Sequence, residues 1–501
     1  MYLKSTVICF IVLFCQCARA QYPSKVKIAI SQTQTNRQEL IKALNYFYGT
    51  KDSLKIRAVN FLVANMPLQY SQNYYWADEQ GHRIAYNELQ YSTFNEAVLA
   101  LDALKKKYGR LHPVPYLYRD IDSVTADMLI TNITQATEKY RERKKGSGIT
   151  EEEFFEYVLP YRASVEPLTD WRKIYQARFE NELNPGATPD AQEKQLKGDI
   201  NARFTNTYGT EKRVEPLPRL SALQILLRGK GLCEDIADMA VFIARSHGIP
   251  AAVDNIPFWG TTGGEHFLDY LKLDARHTHF DAVLDSLGRE PAKVLRTTYS
   301  AQPDAIASWL DTAYIPRGFL RIKNYKDVTS EYWPVDDFSC SLSRPGNNNS
   351  GVVYLCVYNT GDWKAVWYGR KKGDKASFSQ MSKGVVYLPV YYEKGKLVPA
   401  AWPYALGYHN KAVLKPDTGH PHSITLEQED NYLKYRPGKK YRLVYWDNGW
   451  LQIGEQTAPA GCTRLVFDKV PANALLLLIP EYSQRKERPF IIQENGQRTW
   501  W

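Results

Sequence analysis

The chain has 501 residues, 44% of them hydrophobic, and 64 Lys and Arg against 54 Asp and Glu, for a formal charge of +10. Apolar content on this scale supports several hydrophobic cores, so two to four domains are the natural expectation. So mild a charge, without a long Lys/Arg block or a nucleic-acid motif, argues against nucleic acid as a partner. Arg143-Lys144-Lys145 and Arg370-Lys371-Lys372 read as solvated loop charges.

Residues 1–20 combine Lys4, an apolar run from Val7 to Cys15 and an Ala18-Arg19-Ala20 ending. That is the pattern of a secretory signal peptide cleaved after Ala20. Leu13-Phe14 and Gln16 are not the small residues that precede a lipid-bearing cysteine, so Cys15 and Cys17 are expected to leave with the leader. No later apolar run is long enough for a transmembrane segment. The expected product is exported: periplasmic, on the cell surface or secreted.

From 21 to 150 the apolar spacing is mainly helical. Leu40, Ile41, Leu44, Phe47 and Tyr48, then Ile56, Val59, Phe61, Leu62 and Met66, mark two segments, and others follow around Phe94 to Lys107 and Ser123 to Arg143. The polar run Glu138 to Gly148 is expected to be an exposed connection. Nothing here has nucleophile or metal spacing, which leaves a helical scaffold.

The next unit, 151–326, continues helical and turns Pro-rich around Glu215 to Pro218. Its segment LPYRASVEPLTDWR is dense in Tyr161, Arg162, Glu166, Asp170, Trp171 and Arg172. Such a segment suits the edge of a substrate cleft, or equally a charged and aromatic surface between two domains.

The most informative stretch runs from Ser221 to Asp285. Ser221 and Gln224 form a capping-box pattern that starts a short helix, which Gly229 and Gly231 end. Cys233 follows, and Ile236, Met239, Ala240, Ile243 and Ala244 recur at the spacing of an amphipathic helix, stopped by Gly248 and Pro250. Cys233 therefore stands in a first helical turn, where unpaired N–H groups and the macrodipole favour a thiolate. An apolar run Ile249 to Val253 and a loop through Trp259, Gly263 and Gly264 bring His266 to the start of a strand-like run, Phe267 to Leu273. A turn, Asp274 to Thr278, leads to His279-Phe280-Asp281, with the acid opening the next strand. Cysteine, histidine and acid in this order suit a nucleophile, a general base and a group that orients the base.

The residues GKGLCEDIADMAVFIARSHGIPAAVD, followed by GGEHFLDYL, resemble the transglutaminase-like fold. This is the papain-related core shared by transglutaminases, peptide:N-glycanases and bacterial cysteine peptidases. EYVLPYRASVEPLTDWR and the ENGQRTWW ending are similar to large secreted bacterial proteins that bear such a core and a β-rich C-terminal region. The resemblance implies Cys233 as nucleophile and His266 as general base. The usual spacing of the family's acid selects Asp281, with Asp274 and Asp285 as alternatives. Phe267 and Leu268 stand where the family often has a small residue and a Trp, so the pocket beside the histidine is expected to differ. The resemblance also implies amide chemistry on peptides, proteins or glycopeptides, with no cofactor.

His277, His279 and Asp281 alternate, and His420 and His422 form a second group. Neither has the spaced partner of a metal site, so no metal is expected. Four cysteines follow the leader: Cys233, Cys340, Cys356 and Cys462. Cys340 and Cys356 flank the loop Ser343 to Gly351, which leaves a disulfide across a hairpin open.

Beyond Asp327 the chain turns to Gly/Asn turns and alternating aromatic and aliphatic runs, which read as β. It also repeats. YLCVYNTGDW from Tyr354 matches YRLVYWDNGW from Tyr441, and FSQMSKGVVYLPVYY from Phe378 matches FDKVPANALLLLIPEY from Phe467. Two β-sandwich-like units, 327–416 and 417–501, are expected, each with its own strands and turns and each folding apart from the core. Sandwiches of this kind can bind glycans on exposed aromatic rings. Trp363 and Trp450 hold equivalent points of the repeat and read as packing residues, which leaves Trp402, Trp500 and Trp501 for surface contact. The expected whole is an α+β multidomain protein: a helical N-terminal region, a transglutaminase-like cysteine-protease core, and two C-terminal β-units. Its expected chemistry is cysteine-dependent amide hydrolysis or acyl transfer, against the alternative of an inactive glycan- or protein-binding surface protein.

Overall fold

The computed structural model describes residues 22–500, apart from 181, 182, 184, 185, 208–216, 345, 347–349, 430–432, 494 and 495, and the side chains of 144–147. The leader at 1–20, Trp501, and parts of the Pro-rich stretch and of the loop after Ser343 lie outside the described residues.

Helices α1 (Ser24–Ser31), α2 (Arg37–Thr50), α3 (Ser53–Asn65) and α5 (Ala126–Ser147) form the N-terminal scaffold, while α4 (Phe94–Tyr108) packs through Leu101 into a second core with Trp76 and Leu111. The apolar stripes of the four scaffold helices meet in one core that holds Leu40, Leu44, Phe47, Leu62, Leu129 and Ile133. Two expectations are corrected here. The polar run from Glu138 belongs to α5, which continues to Ser147 before Gly148 caps it at φ 63°. Glu, Lys and Arg are good helix formers, and Lys139 pairs with Glu142 at 2.7 Å one turn on. The region also carries a sheet: β1 (Tyr70–Ala77) pairs with β2 (Arg83–Ile84) and, in full register from Tyr70↔Arg119 to Ala77↔His112, with β3 (His112–Arg119).

The short α6 (Glu151–Glu153) runs into a wide π turn at Phe154–Val158, and residues 159–171 have no regular secondary structure. Most of this segment is buried, while its Ser164 and Val165 line a cavity. Tyr161, Arg162, Glu166, Trp171 and Arg172 are all buried. Arg172 Nη2 donates to the carbonyls of Val158, Leu159 and Pro160 at 2.6, 3.2 and 3.0 Å. Arg245 Nε donates to Tyr157 O at 3.0 Å and to Ala251 O at 2.9 Å. Arg162 Nη1 donates to Ser164 O at 3.1 Å and Glu166 O at 3.3 Å, while its Nη2 meets Asp120 at 2.6 Å.

The core follows through α7 (Arg172–Arg178), α8 (Pro189–Arg203), β4 (Thr205–Asn206), α9 (Ala222–Arg228), β5 (Lys230–Gly231) and α10 (Cys233–Ser246). An antiparallel sheet then forms from β6 (Ala251–Ile256), β7 (His266–Leu273), β8 (Arg276–Phe280), β9 (Leu295–Thr297) and β10 (Tyr325–Asp327), in the order β10-β9-β6-β7-β8. Ile236, Ala240 and Ile243 of α10 pack with Ala251, Val253, Leu271 and Leu273 of that sheet. The helix is buried from Asp235 to Ser246 rather than on one face, because α7, α8 and α9 cover its other sides.

After the one-turn α11 (Thr329–Tyr332) the chain is β. The first repeat contains β11 (Val335–Ser341), β12 (Val352–Asn359), β13 (Asp362–Lys372), β14 (Lys375–Ser382), β15 (Val385–Glu393), β16 (Lys396–Pro399), β17 (Tyr404–Leu406) and β18 (Lys411–Val413). These hydrogen-bond as one curled sheet, β11-β14-β13-β12-β15-β17-β18, with β16 also on β15. The curl brings Phe338 of β11 to 5.0 Å from Tyr404 of β17 and lets Lys411 of β18 reach Asp337 O at 3.0 Å. In the second repeat β19 (Asp417–Glu427) pairs with β22 (Arg464–Ala472), beside a sheet of β20 (Lys440–Trp446), β21 (Trp450–Thr457), β23 (Leu476–Pro480), β24 (Phe490–Ile492) and β25 (Arg498–Trp500). The repeat is physical: hairpin β12-β13 corresponds to β20-β21, and β15 lies on β12 as β23 lies on β20.

The repeats pack against the core and against each other. Ala292, Leu295 and Tyr325 of the core share one cluster with Phe338, Leu355, Phe378 and Tyr387. Lys293, with no exposed side-chain surface, bonds Asp327 at 2.6 Å and Gln380 O at 2.7 Å. Trp363 and Trp446 meet at 5.3 Å, and Trp446 and Trp450 at 5.2 Å, so these rings join the two repeats. Trp500 is also held in place, its Nε1 bonding Glu429 at 3.0 Å. No disulfide forms between Cys340 and Cys356. They sit on β11 and β12 with β14 and β13 between them and several residues out of register along the strands, well beyond disulfide reach. Among the described residues no helix is long and apolar enough to cross a membrane.

Candidate active site

Local sequence sets the start of α10. Ser221 Oγ accepts from Gln224 N at 3.3 Å while Gln224 Oε1 accepts from Ser221 N at 2.9 Å, fixing α9. Gly229 ends that helix in the left-handed region at φ 57°. Gly231 must lack a side chain, since a Cβ there would stand 2.4 Å from Asp235 Oδ2 and 2.9 Å from Phe204 Cζ. Asp235 Oδ2 in turn accepts from Leu232 N at 2.8 Å, closing the turn from which Cys233 projects. Cys233 is half-buried.

His266 opens β7 opposite Ile256, its ring stacked on Trp259 at 5.8 Å with 21° between the planes. Its Nε2 lies 2.6 Å from Asp281 Oδ2, and Cys233 stands near enough for its charge to act on the ring. Burial pulls the His266 pKa down, but the hydrogen bonds to Asp281 and Cys233 and the charges of the same two groups raise it to about 9. Asp281 is itself oriented: its Oδ1 accepts from Val283 N at 2.8 Å and Leu284 N at 2.9 Å.

Cys233, His266 and Asp281 are thus brought together. Asp281 follows the end of β8 instead of opening a strand, because β8 already starts at Arg276 and the turn is confined to Asp274 and Ala275. The alternatives stand elsewhere. Asp274 occupies the turn at the far end of β7, with φ 54°, and Asp285 is fully exposed and paired with Lys197 at 2.9 Å. Of the other histidines, His277 packs on Tyr270, His279 lies on Tyr332 and 3.5 Å from Glu331, and His420 meets Asp417 at 2.7 Å.

Two cavities flank the three residues. One, of about 300 Å³, is lined by Tyr70, Gln72, Arg219, Glu234, Glu265 and Phe267, and so includes the chain neighbours of Cys233 and His266. Arg219 holds Glu234 at 2.6 Å and also pairs with Asp238. Burial and the charge of Glu234 raise the pKa of Glu265. The other, of about 530 Å³, lies behind Asp281 and is lined by Lys194, Lys197, Leu268, His279 and Tyr332.

The loop between β6 and β7 leans on a residue that no local pattern in the sequence marks. Asn359, at the end of β12 and 2% exposed, sends its Nδ2 to the carbonyls of Trp259, Thr262 and Gly264 at 3.2, 3.0 and 3.0 Å. Its Oδ1 accepts from Gly264 N at 3.0 Å. In the sequence this Asn precedes Thr360-Gly361 and looks like an ordinary turn residue.

Residues 176–282 match the model of the transglutaminase-like superfamily. That span includes Cys233, His266 and Asp281, so the match takes in all three residues of the candidate site. Solved structures with a matching segment include one from Cytophaga hutchinsonii, provisionally described as a cysteine protease, at 15% identity and a TM-score of 0.17. The match covers 22% of this chain and 36% of that one. Comparison with curated proteins gives no match.

Proposed function

We propose that this chain, with its transglutaminase-like core, is an exported cysteine-dependent amide hydrolase or acyl transferase acting on peptides or glycopeptides. The observation that carries the reading is the imidazole of His266, bonded to Asp281 at 2.6 Å and close enough to Cys233 to feel its charge. In the proposed reaction the Cys233 thiolate attacks the amide carbon, while the first-turn N–H of Cys233 faces the developing oxyanion. The C–N bond breaks as the His266 imidazolium gives its proton to the leaving amine. Water, or an amine acceptor, then attacks the thioester with His266 as base, and the acid or new amide departs as the thiol re-forms. Asp281 holds the imidazole in the working tautomer. Hydrolysis is the preferred outcome, and export rests on the composition of residues 1–20. Glycan contact through the C-terminal units remains part of the proposal only for rings outside the Trp363–Trp446–Trp450 cluster.

Alkylation of the folded chain tests the reading. Near neutral pH, Cys233 is expected to react faster than Cys462, and His266→Ala to abolish the advantage. Peptide amides and glycosylated asparagine peptides, offered with and without a primary amine, then separate hydrolysis from transfer. A Cys233 no more reactive than Cys462 would leave a non-catalytic binding protein instead.

A further inference from the structure

We infer that Asn359, contributed by the first C-terminal β-unit, is a positioning residue for His266: it holds the loop that sets the imidazole against Cys233. The inference rests on the catalytic reading above for its chemistry, and on geometry for its assignment.

The loop 257–265 has no regular structure to satisfy its backbone, and Gly260, Gly263 and Gly264 give it little intrinsic stiffness. Asn359 supplies what it lacks. One amide accepts from Gly264 N and donates to three carbonyls spread along the loop, so Trp259 and Gly264 are tied to the same side chain. Trp259 N also reaches Gly264 O at 3.2 Å, which closes the loop on itself around that amide. The two tied residues bracket the imidazole: Trp259 stacks on its face, and Gly264 stands two residues ahead of it. A shift of the loop therefore moves both the ring's stacking partner and the backbone that aims it.

The surrounding seam is tight enough to transmit position. A Cβ on Gly260 would lie 2.5 Å from Val385 Cγ2, and one on Gly263 would lie 3.3 Å from Thr360 Cγ2, so the loop rests directly on β15 and on the turn after β12. Gly260 N bonds Glu290 O at 2.8 Å, and Thr261 Oγ1 bonds Glu290 Oε2 at 2.7 Å. Buried polar groups left without partners are destabilising, so loss of the Asn359 amide favours a rearranged loop over the same loop with orphaned carbonyls.

The test uses the full chain and compares the pH profile of Cys233 alkylation in four proteins: the parent, His266→Ala, Asn359→Ala and Asn359→Asp. Asn359→Ala is expected to slow alkylation near neutral pH about tenfold or more and to move the profile toward that of His266→Ala. Asn359→Asp keeps the shape and the acceptor but loses the donor to three carbonyls, so it should move the profile in the same direction, and it decides the matter should the alanine variant not fold. Gly263→Ala, which presses on the same seam from the loop side, should follow them. If the Asn359 variants keep the parent profile while their melting temperature falls, the side chain is merely structural and the inference is overturned. If parent and His266→Ala share one profile, the catalytic reading has failed, which is a different result.

Discussion

Replacing His266 by glutamine should cost the folded chain a stability that depends on pH in a defined direction. The imidazolium persists to about pH 9 in the folded site, against 6.5 for an unperturbed histidine. A folded-state pKa above the unfolded value means that the folded chain binds the proton more tightly. The stabilisation is therefore complete below pH 6.5 and is lost as the pH rises through 9. At about 1.4 kcal/mol per pH unit, the full effect is about 3 kcal/mol. Solvent screening takes little from it, because the side chain is 8% exposed. Urea titrations of the parent and His266→Gln at pH values of about 5.5, 7.5 and 9.5 measure it as a difference between the two proteins. That difference should shrink by about 1 kcal/mol over the first interval and by about 2 kcal/mol over the second. Packing lost with the ring adds an offset that does not vary with pH. A difference that is flat across the range, or that grows toward alkaline pH, would refute the pairing of His266 with Asp281 and Cys233.

Gly231→Ala should force Asp235 or Phe204 aside at the start of α10 and slow Cys233 alkylation, and a parent-like rate would show that the turn tolerates a side chain. Cys340, whose thiol burial raises to about 12, and Cys356, raised further by its deeper burial, should resist alkylation in the folded chain. Both should react on unfolding without reductant, and mass spectrometry that finds them joined would contradict the strand order. Arg172→Lys keeps a charge but offers one nitrogen where the guanidinium offers three, so it cannot serve Asn132, Arg245 O and the Val158–Pro160 carbonyls together, and a loss of about 3 kcal/mol or more is expected in urea unfolding.

Much of the core was legible because its signals are local. The Ser221–Gln224 box and the stops at Gly229 and Gly248 each follow from a few neighbouring residues, and each is found where the pattern puts it. The matching hairpins at Tyr354 and Tyr441 were legible for the same reason. What escaped depends on partners distant in sequence. The aromatic run Tyr74-Tyr75-Trp76 becomes a strand because His112–Arg119 lies beside it, and helical neighbours masked that pairing. Arg162 and Arg172 look like surface charges until Asp120, Asn132 and a row of carbonyls enclose them. Asn359 carries no local mark at all, since its partners precede it by some ninety-five to one hundred residues.

The arginines around residues 157–166 have a mechanical consequence. A strand in a sheet hands its carbonyls to a neighbouring backbone, whereas this segment hands them to guanidinium groups: Tyr157, Val158, Leu159 and Pro160 to Arg245 and Arg172, Ser164 and Glu166 to Arg162. Each guanidinium also grips something outside the segment, namely Asp120 for Arg162, Asn132 for Arg172 and Ala251 O for Arg245. The rivets fasten the N-terminal scaffold and the sheet beneath α10 to one irregular rope of chain. Sliding between these two regions would break several charge-assisted bonds at once in a buried setting. Rigid-body shear at that joint would have to break these bonds together, so the scaffold and the sheet beneath α10 are set to move as one piece.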